Sequence, residues 1–491
     1  MKKLLLIFLI FTQMLLYFAC ASGDGEVKND IINDEQDTTV TFASEETMTE
    51  IHTDIEPVDY EGDEIIIVSY PQEGINFNML DVKADEHTGE PINDAVYTRN
   101  LSLEEKYNIT ITVFETTNRA GVVKSMVTAG DQTYDIALPG LSESFQLGYT
   151  DYVYNLNDIP YIDFTKPWWN SNITDDTKIN GKNFFAIGDI NILSYEGMGV
   201  MMFEKNLVNT YDIESPYETV KNGTWTFDKF AETSKLMYFD INGNGEYDRD
   251  DQYGFTANEY SSDCFAFCTD MQYVVIDNDG AMKLNVNNDK FISYFTKVIE
   301  FINDETLTLY ADKAVYRNER QTLPLKLFTE GRSLYYVETM AFITQLRNME
   351  LDFGLIPFPK YDETQNEYYN FIHTGCSSAV VIPVTITDTD KIGRIIEDMA
   401  YFSYINVRPA YYEVTIQGKY IRDDESYEML DYILLNSRCD LSQALRSSGF
   451  NFINDLRTMV TGNNTALVSM IASKENAYIN ALEKINESLS Q

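Results

Sequence analysis

A twelve-residue stretch, DINGNGEYDRDD at residues 240–251, has the residue types and spacing of a loop that could hold a cation. Oxygen-bearing residues recur at the ligand positions of such a loop, and a glycine stands at position 6, where the chain must turn sharply. The candidate ligands are Asp240, Asn242, Asn244, Glu246, Asp248 and Asp251. Carboxylate, amide and carbonyl oxygens are hard ligands that suit Ca²⁺, so the sequence predicts a structural calcium site.

Two features of this loop limit what a calcium ion could do there. Asp251 stands at position 12, where a longer glutamate usually supplies two oxygens, so the affinity is open. A strand-like segment, residues 252–257, follows the loop in place of a second helix, which argues against a calcium sensor that opens a groove between paired helices. The alternative without a metal is an acidic turn that its own Asn and Gly hydrogen bonds hold together.

The charge balance argues against one large class of function. The chain has 491 residues, with 36 Lys and Arg against 78 Asp and Glu, and a net charge of −42. Binding to nucleic acid favours the opposite sign, so no nucleic-acid partner is expected. The length predicts two or three globular units. The 34 tyrosines and 28 phenylalanines offer apolar faces that suit protein cores and sugar rings alike.

The N-terminus has the pattern of an export signal. Two lysines precede an apolar run over residues 4–18, which is short for a membrane span of about 20 residues. The run leads into Ala19-Cys20, which predicts a lipoprotein signal over residues 1–20 with Cys20 as the lipidated first residue, although aromatic residues at 17 and 18 depart from the usual pattern. The alternative is ordinary cleavage nearby, with Cys20 as a bystander.

The segment after the signal, residues 21–62, is strongly acidic. Between residues 23 and 64 there are fifteen Asp and Glu against one Lys, with few large apolar residues. Such a segment cannot bury enough apolar surface to offset its chain entropy. The sequence therefore predicts a disordered tether that holds a folded part off the cell membrane, on its outer side.

The rest of the chain alternates between strand-like and helix-like segments. Strands are predicted at residues 63–70, 109–114 and 134–139, with helices at 94–107 and 119–129 between them, an order that implies a parallel sheet. Further strands are predicted at 183–188, 199–205, 252–257, 332–340, 352–359 and 379–386. Helices are predicted after Thr226 as N-cap, at 390–405, and from about 425 to the end with breaks near Gly449 and Gly462.

The four cysteines beyond the signal give no sign of a metal site. Cys264, Cys268, Cys376 and Cys439 contain no Cys-x-x-Cys pair, and the chain has only three histidines. Cys264 and Cys268 are close enough in sequence to pair if the local geometry allows, and free buried thiols are the alternative.

Several phrases of the sequence resemble one family. They are LEEKYNITI at 103–111, TAGDQTYDI at 128–136, LNDIPYIDFTKPWWN at 156–170, GTWTFDKF at 223–230, DINGNGEYDRDDQYGF at 240–255, DFGLIPFPKYDETQNEYY at 352–369 and PAYYEV at 409–414. They resemble the extracellular solute-binding lipoproteins that feed sugars to ATP-binding-cassette (ABC) importers, in the broad group that contains the maltose-binding protein. The resemblance covers nearly the whole chain from about residue 63.

This resemblance implies the α/β fold of the type II periplasmic binding proteins, in which hinge segments join two α/β lobes and the ligand lies in the cleft between them. It places lobe 1 at residues 63–188 and 353–405, and lobe 2, which carries the calcium loop, at 189–352 and 406–491. It also implies a monomer that binds a carbohydrate and delivers it to an ABC permease in the membrane.

Candidate ligand residues follow from sugar chemistry and from the expected position of the cleft. Aromatic faces pack on the C–H groups of sugars and polar side chains bind their hydroxyls, and open α/β sheets place ligands at strand ends. The candidates are Tyr70, Trp168, Trp169, Asp189, Tyr195, Glu196, Glu338, His373 and Tyr411. For Trp168 and Trp169 the alternative is packing within a lobe, and for His373 a place in the core or at its rim. Trp225, at a helix start, is assigned to packing.

Three functions remain open on the sequence alone. The first is a lipid-anchored receptor for a carbohydrate, with no catalytic activity. The second is an extracellular glycan-acting enzyme, for which the many carboxylates give no specific support and no Gly-x-Ser-x-Gly or His-Glu-x-x-His motif appears. The third is a surface adhesion or peptide-binding protein on the same fold, since a fold does not fix its ligand.

Overall fold

The computed structural model describes residues 52–71, 81–348, 351–417 and 424–489. The predicted signal peptide, its Cys20 and most of the predicted tether lie outside these residues. Within them the strands are β1 (Asp63–Ser69), β2 (Ile109–Glu115), β3 (Ile136–Ala137), β4 (Gly199–Glu204), β5 (Tyr253–Ala257), β6 (Val274–Ile276), β7 (Met282–Leu284), β8 (Thr308–Tyr310), β9 (Ser333–Thr339), β10 (Phe353–Ile356), β11 (Asn370–Phe371) and β12 (Ser437–Arg438).

The helices alternate with these strands, as the sequence predicts. They are α1 (Pro91–Tyr107), α2 (Arg119–Ala129), α3 (Leu141–Tyr149), α4 (Ser171–Asp176), α5 (Ile192–Glu196), α6 (Lys205–Thr210), α7 (Pro216–Lys221), α8 (Phe227–Ser234), α9 (Glu259–Phe267), α10 (Asp289–Asn303), α11 (Leu323–Thr329), α12 (Thr389–Phe402), α13 (Arg408–Gln417), α14 (Asp424–Leu434), α15 (Leu441–Ala444), α16 (Phe452–Thr461) and α17 (Leu467–Leu489). Short 3₁₀ turns lie at Leu156–Asp158, Ala314–Glu319, Met340–Asn348 and Leu445–Ser448, and a π-helical turn, Ser403–Val407, joins α12 to α13.

A parallel three-stranded sheet forms the first layer, in the order β2-β1-β3. The β-branched run of β1 is buried towards its end, with Ile65, Ile67 and Val68 fully inaccessible, because β1 lies at the centre of the sheet between β2 and β3. The predicted parallel arrangement of the first three strands is confirmed.

A mixed five-stranded sheet forms the second layer, in the order β10-β4-β9-β5-β8. The pairs β10/β4 and β4/β9 are antiparallel, whereas β5 runs parallel to both β9 and β8. Every residue of β9 is buried, which places Glu338 near the end of a strand with no exposed face. The carboxylate of Glu338 therefore lies in the protein interior.

The predicted N-cap of α8, Thr226, is confirmed. Thr226 precedes the helix in an extended conformation, and its hydroxyl accepts a hydrogen bond from the backbone N–H of Lys229 at 3.2 Å. Asp228 lies in the first turn, where a negative charge is favourable against the helix dipole. Helix breaks also occur where predicted: Gly449 ends a 3₁₀ turn at φ +87°, and Gly462 caps α16.

Two predicted strands are absent as continuous strands. Residues 183–188 and 379–386 contribute isolated bridges, which are Ala186 with Val380, Trp169 with Gly188, Ala137 with Val381 and Val153 with Pro383. Pro383 lies within the second segment, and proline has no N–H to donate to a ladder. Both apolar segments therefore pair with other parts of the chain through isolated bridges only. One of these bridges joins Val381 to Ala137 of β3.

The predicted tether, residues 21–62, includes a segment that packs on the folded part of the chain. Within its last part, the imidazole of His52 lies 3.0 Å from the hydroxyl of Tyr401, and the backbone N–H of Tyr60 donates to the carbonyl of Tyr107 at 2.9 Å. Residues 52–62 therefore pack on the folded part. Few apolar and aromatic residues suffice to order this segment, because the folded helices α1 and α12 supply its partners Tyr107 and Tyr401.

The bounds of the two lobes stay a prediction, but β10 bears on one of them. Phe353 pairs with Glu204 and Ile356 with Met201, so β10 belongs to the same sheet as β4 and β9. The predicted second segment of lobe 1 begins at residue 353. We therefore expect the chain to return to lobe 1 after Ile356.

Within the residues that the structure describes, no helix combines the length and the apolar character that a membrane span requires. The four described cysteines are free, which answers the question of pairing between Cys264 and Cys268.

Candidate functional site

A cavity of about 280 Å³ lies where the chain passes from residue 188 to 189, next to the start of α13. We name it the junction cavity. Its walls come from the loop before α4, from the segment around α5, and from α13 and the end of α14. The lining residues are Phe164, Thr165, Lys166, Pro167, Trp168, Trp169, Asn170, Ser171, Ile187, Gly188, Asp189, Tyr195, Met198, Arg408, Leu434 and Leu435.

Asp189 is the acidic residue among those that line the cavity. Its side chain is fully buried, and its Oδ1 accepts hydrogen bonds from Arg408 Nε at 2.8 Å and from the Tyr195 hydroxyl. Burial raises the pKa of the Asp189 carboxyl, and the Arg408 guanidinium opposes that shift. The second oxygen, Oδ2, is buried and has no hydrogen-bond partner among the described residues. This oxygen is thus a buried acceptor that stays unsatisfied among the described residues, which is uncommon in folded proteins.

The two adjacent tryptophans are fixed by one carboxylate. Trp168 Nε1 donates to Glu397 Oε1 at 2.9 Å and Trp169 Nε1 donates to Glu397 Oε2 at 3.0 Å, and both indoles are at least 96% buried. The backbone N–H of Asp163 donates to the same carboxylate at 3.3 Å. Burial raises the pKa of Glu397 to about 7. Both tryptophans are therefore packed in the fold, and they also line the junction cavity, while their contact with a ligand stays a prediction.

Sequence reasoning missed Glu397 and Arg408. One signal was available for Glu397: it lies within a largely apolar stretch of α12 that is buried from Ile395 to Tyr401, where an acidic residue needs a partner. Arg408 had no such signal, since its partner Asp189 is 219 positions away in the chain.

A second group of polar side chains surrounds the end of β9. Glu338 is 6% exposed and accepts hydrogen bonds from the backbone N–H of Thr339 at 3.0 Å and from Tyr336 at 3.3 Å. Burial raises the pKa of Glu338 to about 7. The hydroxyl of Tyr260 and the side-chain oxygen of Thr339 are buried and without hydrogen-bond partners among the described residues.

His373 belongs to this second group. Its ring centroid lies 5.7 Å from that of Tyr260 and 6.2 Å from that of Phe371. Burial lowers the pKa of His373 to about 4, so the imidazole is neutral at physiological pH. This agrees with the alternative that places it at the rim of the core.

The remaining candidates are Tyr411, Tyr70 and Glu196. The rings of Tyr195 and Tyr411 are 5.3 Å apart, so Tyr411 supports the wall of the junction cavity from behind. Tyr70, after β1, stacks under the guanidinium of Arg119 at 4.7 Å. Glu196, in α5, is 3% exposed. The nine predicted residues thus form no single site, and their role in ligand binding stays a prediction. Trp225 is 1% exposed and donates to the Pro357 carbonyl at 3.0 Å, as its assignment to packing requires.

The acidic loop at residues 240–251 folds around its own side chains. The two carboxylate oxygens of Asp240 accept from the backbone N–H groups of Gly243 at 2.7 Å and Gly245 at 3.0 Å, and both glycines have positive φ. Buried Asp251 accepts from the N–H groups of Ile241 and Asp248 at 3.2 Å each.

The donor set of this loop fits a hard cation, with three aspartates, two asparagine amides and a backbone carbonyl on one turn. In the structure, Asn244 Nδ2 donates to the Asp248 carboxylate at 2.8 Å. A bound cation would compete with this amide for the same carboxylate oxygen. Within the described residues no group of three or more His, Cys, Asp or Glu is arranged to hold a metal ion. Calcium at this loop therefore remains a prediction.

Comparison with known proteins adds a fold-level result. No protein-family model and no curated protein sequence matches the chain. Among solved structures, a cyclic α-maltosyl-1,6-maltose binding protein from Arthrobacter globiformis is similar, with a TM-score of 0.56 and 13% identity over 86% of this chain and 100% of that one. A sugar transporter from Rhizobium etli in an open conformation has a TM-score of 0.53 and 11% identity over 87% and 99%.

A third structure, the maltose-binding periplasmic protein of Listeria monocytogenes in complex with maltose, has a TM-score of 0.52 and 10% identity over 88% of this chain and 99% of that one. The chain therefore has the α/β fold of the type II periplasmic binding proteins, and the predicted fold class is confirmed. These neighbours are described as sugar-binding proteins or a sugar transporter, and at 10–13% identity their similarity shows the fold of this chain alone.

Proposed function

We propose that the chain is a lipid-anchored solute-binding protein that captures a carbohydrate, most simply an oligosaccharide, and delivers it to the permease of an ABC importer. The observation that carries this proposal is the fold, since sugar-binding proteins match between 86% and 88% of the chain over nearly their whole length. The low identities transfer no particular sugar to this chain.

The described side chains supply the chemistry that a carbohydrate needs. Asp189 contributes a carboxylate to the lining of the junction cavity, and Trp169 and Tyr195 contribute aromatic rings, which are the kinds of groups that bind sugars. In this proposal Cys20 carries the lipid, and residues 21–51 separate the folded part from the outer face of the cell membrane. Closure of the two lobes around a ligand reports occupancy to the permease.

The proposal predicts a class-specific thermal shift. One class of carbohydrate raises the midpoint of thermal unfolding by mass action, equivalent to about 2.7 kcal/mol when the ligand is 100-fold above its Kd. The measurement is a thermal-shift screen of neutral and charged sugars, amino acids and peptides, followed by chromatography of the sugar. Cleavage of the sugar, or a shift with peptides and none with carbohydrates, contradicts the proposal.

We also propose that residues 240–251 bind one structural Ca²⁺. When bound, the ion cross-links the acidic side chains of the loop between α8 and β5. A chelator then lowers the melting temperature of the wild type and leaves that of Asp240→Ala/Asp251→Ala unchanged. The variant starts from a lower temperature because Asp251 also holds backbone N–H groups, so the readout is the further change on chelation.

The matched control for this experiment is Asp279→Ala, which removes an acidic residue from the exposed turn between β6 and β7. It keeps the chelator sensitivity of the wild type if the ion lies in the predicted loop. Equal chelator sensitivity in the loop variant and the wild type removes calcium from residues 240–251.

A further inference from the structure

We infer that direct contacts between the two predicted lobes hold them in the arrangement described above, so that this arrangement is populated before any ligand binds. The contacts lie between helices α3 and α4, in predicted lobe 1, and residues 435–448, in predicted lobe 2. We name these contacts the clasp. Its consequence for ligand affinity rests on the proposed function, whereas the clasp itself is tested without a ligand.

The first part of the clasp is an ion pair between Asp176 and Arg438. Arg438 Nε donates to Asp176 Oδ2 at 2.9 Å, and a terminal nitrogen of the guanidinium donates to Asp176 Oδ1. The backbone N–H of Cys439 donates to Oδ2 at 3.3 Å. The side chains of Asp176 and Arg438 are 8% and 21% exposed, so water and salt screen this pair less than an exposed pair. Two parallel hydrogen bonds from one guanidinium fix the geometry of the pair as well as its charge.

A second carboxylate makes this arginine more important. Asp440 lies two residues after Arg438, and Asp176 and Asp440 both raise the pKa of Arg438. Desolvation, with a smaller contribution from the charge of Asp176, raises the pKa of Asp440 to about 6, so Asp440 is mostly ionised above pH 7. Removal of Arg438 therefore leaves two negative charges near each other on opposite sides of the clasp, where they repel.

The second part of the clasp consists of polar contacts along α3. The hydroxyls of Ser142 and Ser447 lie 2.8 Å apart, and Gln146 Nε2 donates to the carbonyl of Ser447 at 3.1 Å. The hydroxyl of Tyr149 donates to Ser448 Oγ at 2.6 Å. Ser142 and Tyr149 are 7% and 8% exposed, so little water reaches their side of this contact.

Each side of the clasp is attached to its own predicted lobe. In lobe 1, the backbone N–H of Leu141 at the start of α3 donates to Ser377 Oγ at 3.2 Å, and Asn183 Nδ2 donates to a carbonyl of α4 at 2.7 Å. In lobe 2, the backbone N–H of Tyr273 donates to Asp440 Oδ2 at 2.8 Å. A rotation of one lobe away from the other therefore breaks the clasp, because neither side is free to follow the opposite lobe.

Contacts that exist in only one arrangement shift the population of the chain toward that arrangement. A ligand that requires the clasped arrangement binds with an apparent affinity that is reduced by the fraction of chains outside it. Loss of the clasp therefore weakens ligand binding even where no clasp residue touches the ligand. Asp176 and Arg438 are positioning residues in this sense.

The first test is a cross-link in the chain from residue 21 onward, with no sugar present. Ser142→Cys/Ser447→Cys places two thiols where the hydroxyls lie 2.8 Å apart, and a small shift brings them to the disulfide length of about 2.05 Å. Mild oxidation with copper phenanthroline forms the disulfide, which non-reducing electrophoresis and thiol titration detect. The matched control, Ser142→Cys/Ser473→Cys, has its second thiol at an exposed position of α17 and forms none.

The second test removes the ion pair. Arg438→Met slows the cross-link at least fivefold, increases the radius of gyration of the free protein in X-ray scattering, and weakens binding of a sugar found by calorimetry about threefold to tenfold. Arg438→Lys keeps the charge without the paired hydrogen bonds, gives intermediate values, and serves where Arg438→Met does not fold. Lys297→Met, which breaks an exposed ion pair with Asp228, changes none of these quantities.

The outcomes separate the two claims. If the disulfide forms only with a sugar present, or equally fast with and without the ion pair, the clasp does not hold the lobes and the inference falls, while the proposed function stands. If the disulfide forms in the free protein and loss of the ion pair slows it, but no carbohydrate binds the wild type, the clasp stands and the proposed function falls.

Discussion

Replacing Arg408 by methionine destabilises the folded chain by about 3 to 5 kcal/mol, because it leaves the Asp189 carboxylate buried without its cation. Asp189 is fully buried, so the lost partner cannot be replaced by bulk water at low cost. The double variant Asp189→Asn/Arg408→Met removes both charges. It should therefore cost clearly less than the sum of the two single variants.

Denaturant unfolding of the wild type, both single variants and the double variant measures this coupling. The control is Lys297→Met, which breaks the exposed pair between Lys297 and Asp228 and changes stability by less than about 1 kcal/mol. A cost below 1 kcal/mol for Arg408→Met, or strictly additive costs in the cycle, contradicts the role assigned to this pair.

Replacing Glu397 by leucine destabilises the chain by about 2 to 5 kcal/mol. The change keeps an apolar side chain of similar size but leaves the indole N–H groups of Trp168 and Trp169 buried without an acceptor. Glu397→Gln is the matched variant, since its amide oxygen accepts one of the two bonds and its loss is smaller. Equal stability of the leucine variant and the wild type rules out the carboxylate as the anchor of the tryptophans.

The same carboxylate gives a pH dependence with a defined sign. Burial raises the pKa of folded Glu397 to about 7, above the value near 4.3 expected in an unfolded chain. Between these values the folded state holds a proton that the unfolded state has released, so its stability contribution is full below about pH 4 and is lost as the pH rises through 7.

Relative to Glu397→Gln, the wild type should therefore lose stability on the order of 2 to 4 kcal/mol between pH 4.5 and pH 8. Glu338 also titrates in this range, but it is present in both proteins and cancels in the difference. Denaturant unfolding of the two proteins across this pH range measures it. A flat or rising difference curve contradicts a buried carboxyl with a raised pKa.

The sequence predicted the elements whose signal is local. The apolar run of β1, the glycine after α2 and the hydroxyl before α8 each act over a few residues, and the structure places these elements within a few residues of their predicted bounds. The segments 183–188 and 379–386 were overpredicted as strands, because apolar composition does not show whether a partner strand runs alongside for more than one pairing.

The candidate site was only partly accessible to sequence reasoning. Asp189, Tyr195 and the tryptophan pair were singled out by residue type and by their expected place near a chain crossing. Glu397 binds Trp168 across 229 positions and Arg408 binds Asp189 across 219, and no local pattern encodes such pairs. The separation of Glu338 and His373 from the residues of the junction cavity likewise depends on how the sheets are arranged in space.

One measurement tests the central claim most directly: calorimetric titration of the chain from residue 21 onward with a panel of neutral oligosaccharides, with recovery of each sugar afterwards. The account predicts saturable heat with a stoichiometry of one for at least one carbohydrate, which is recovered intact. Absence of saturable heat with every carbohydrate, or recovery of cleaved products, contradicts a carbohydrate-binding function for this fold.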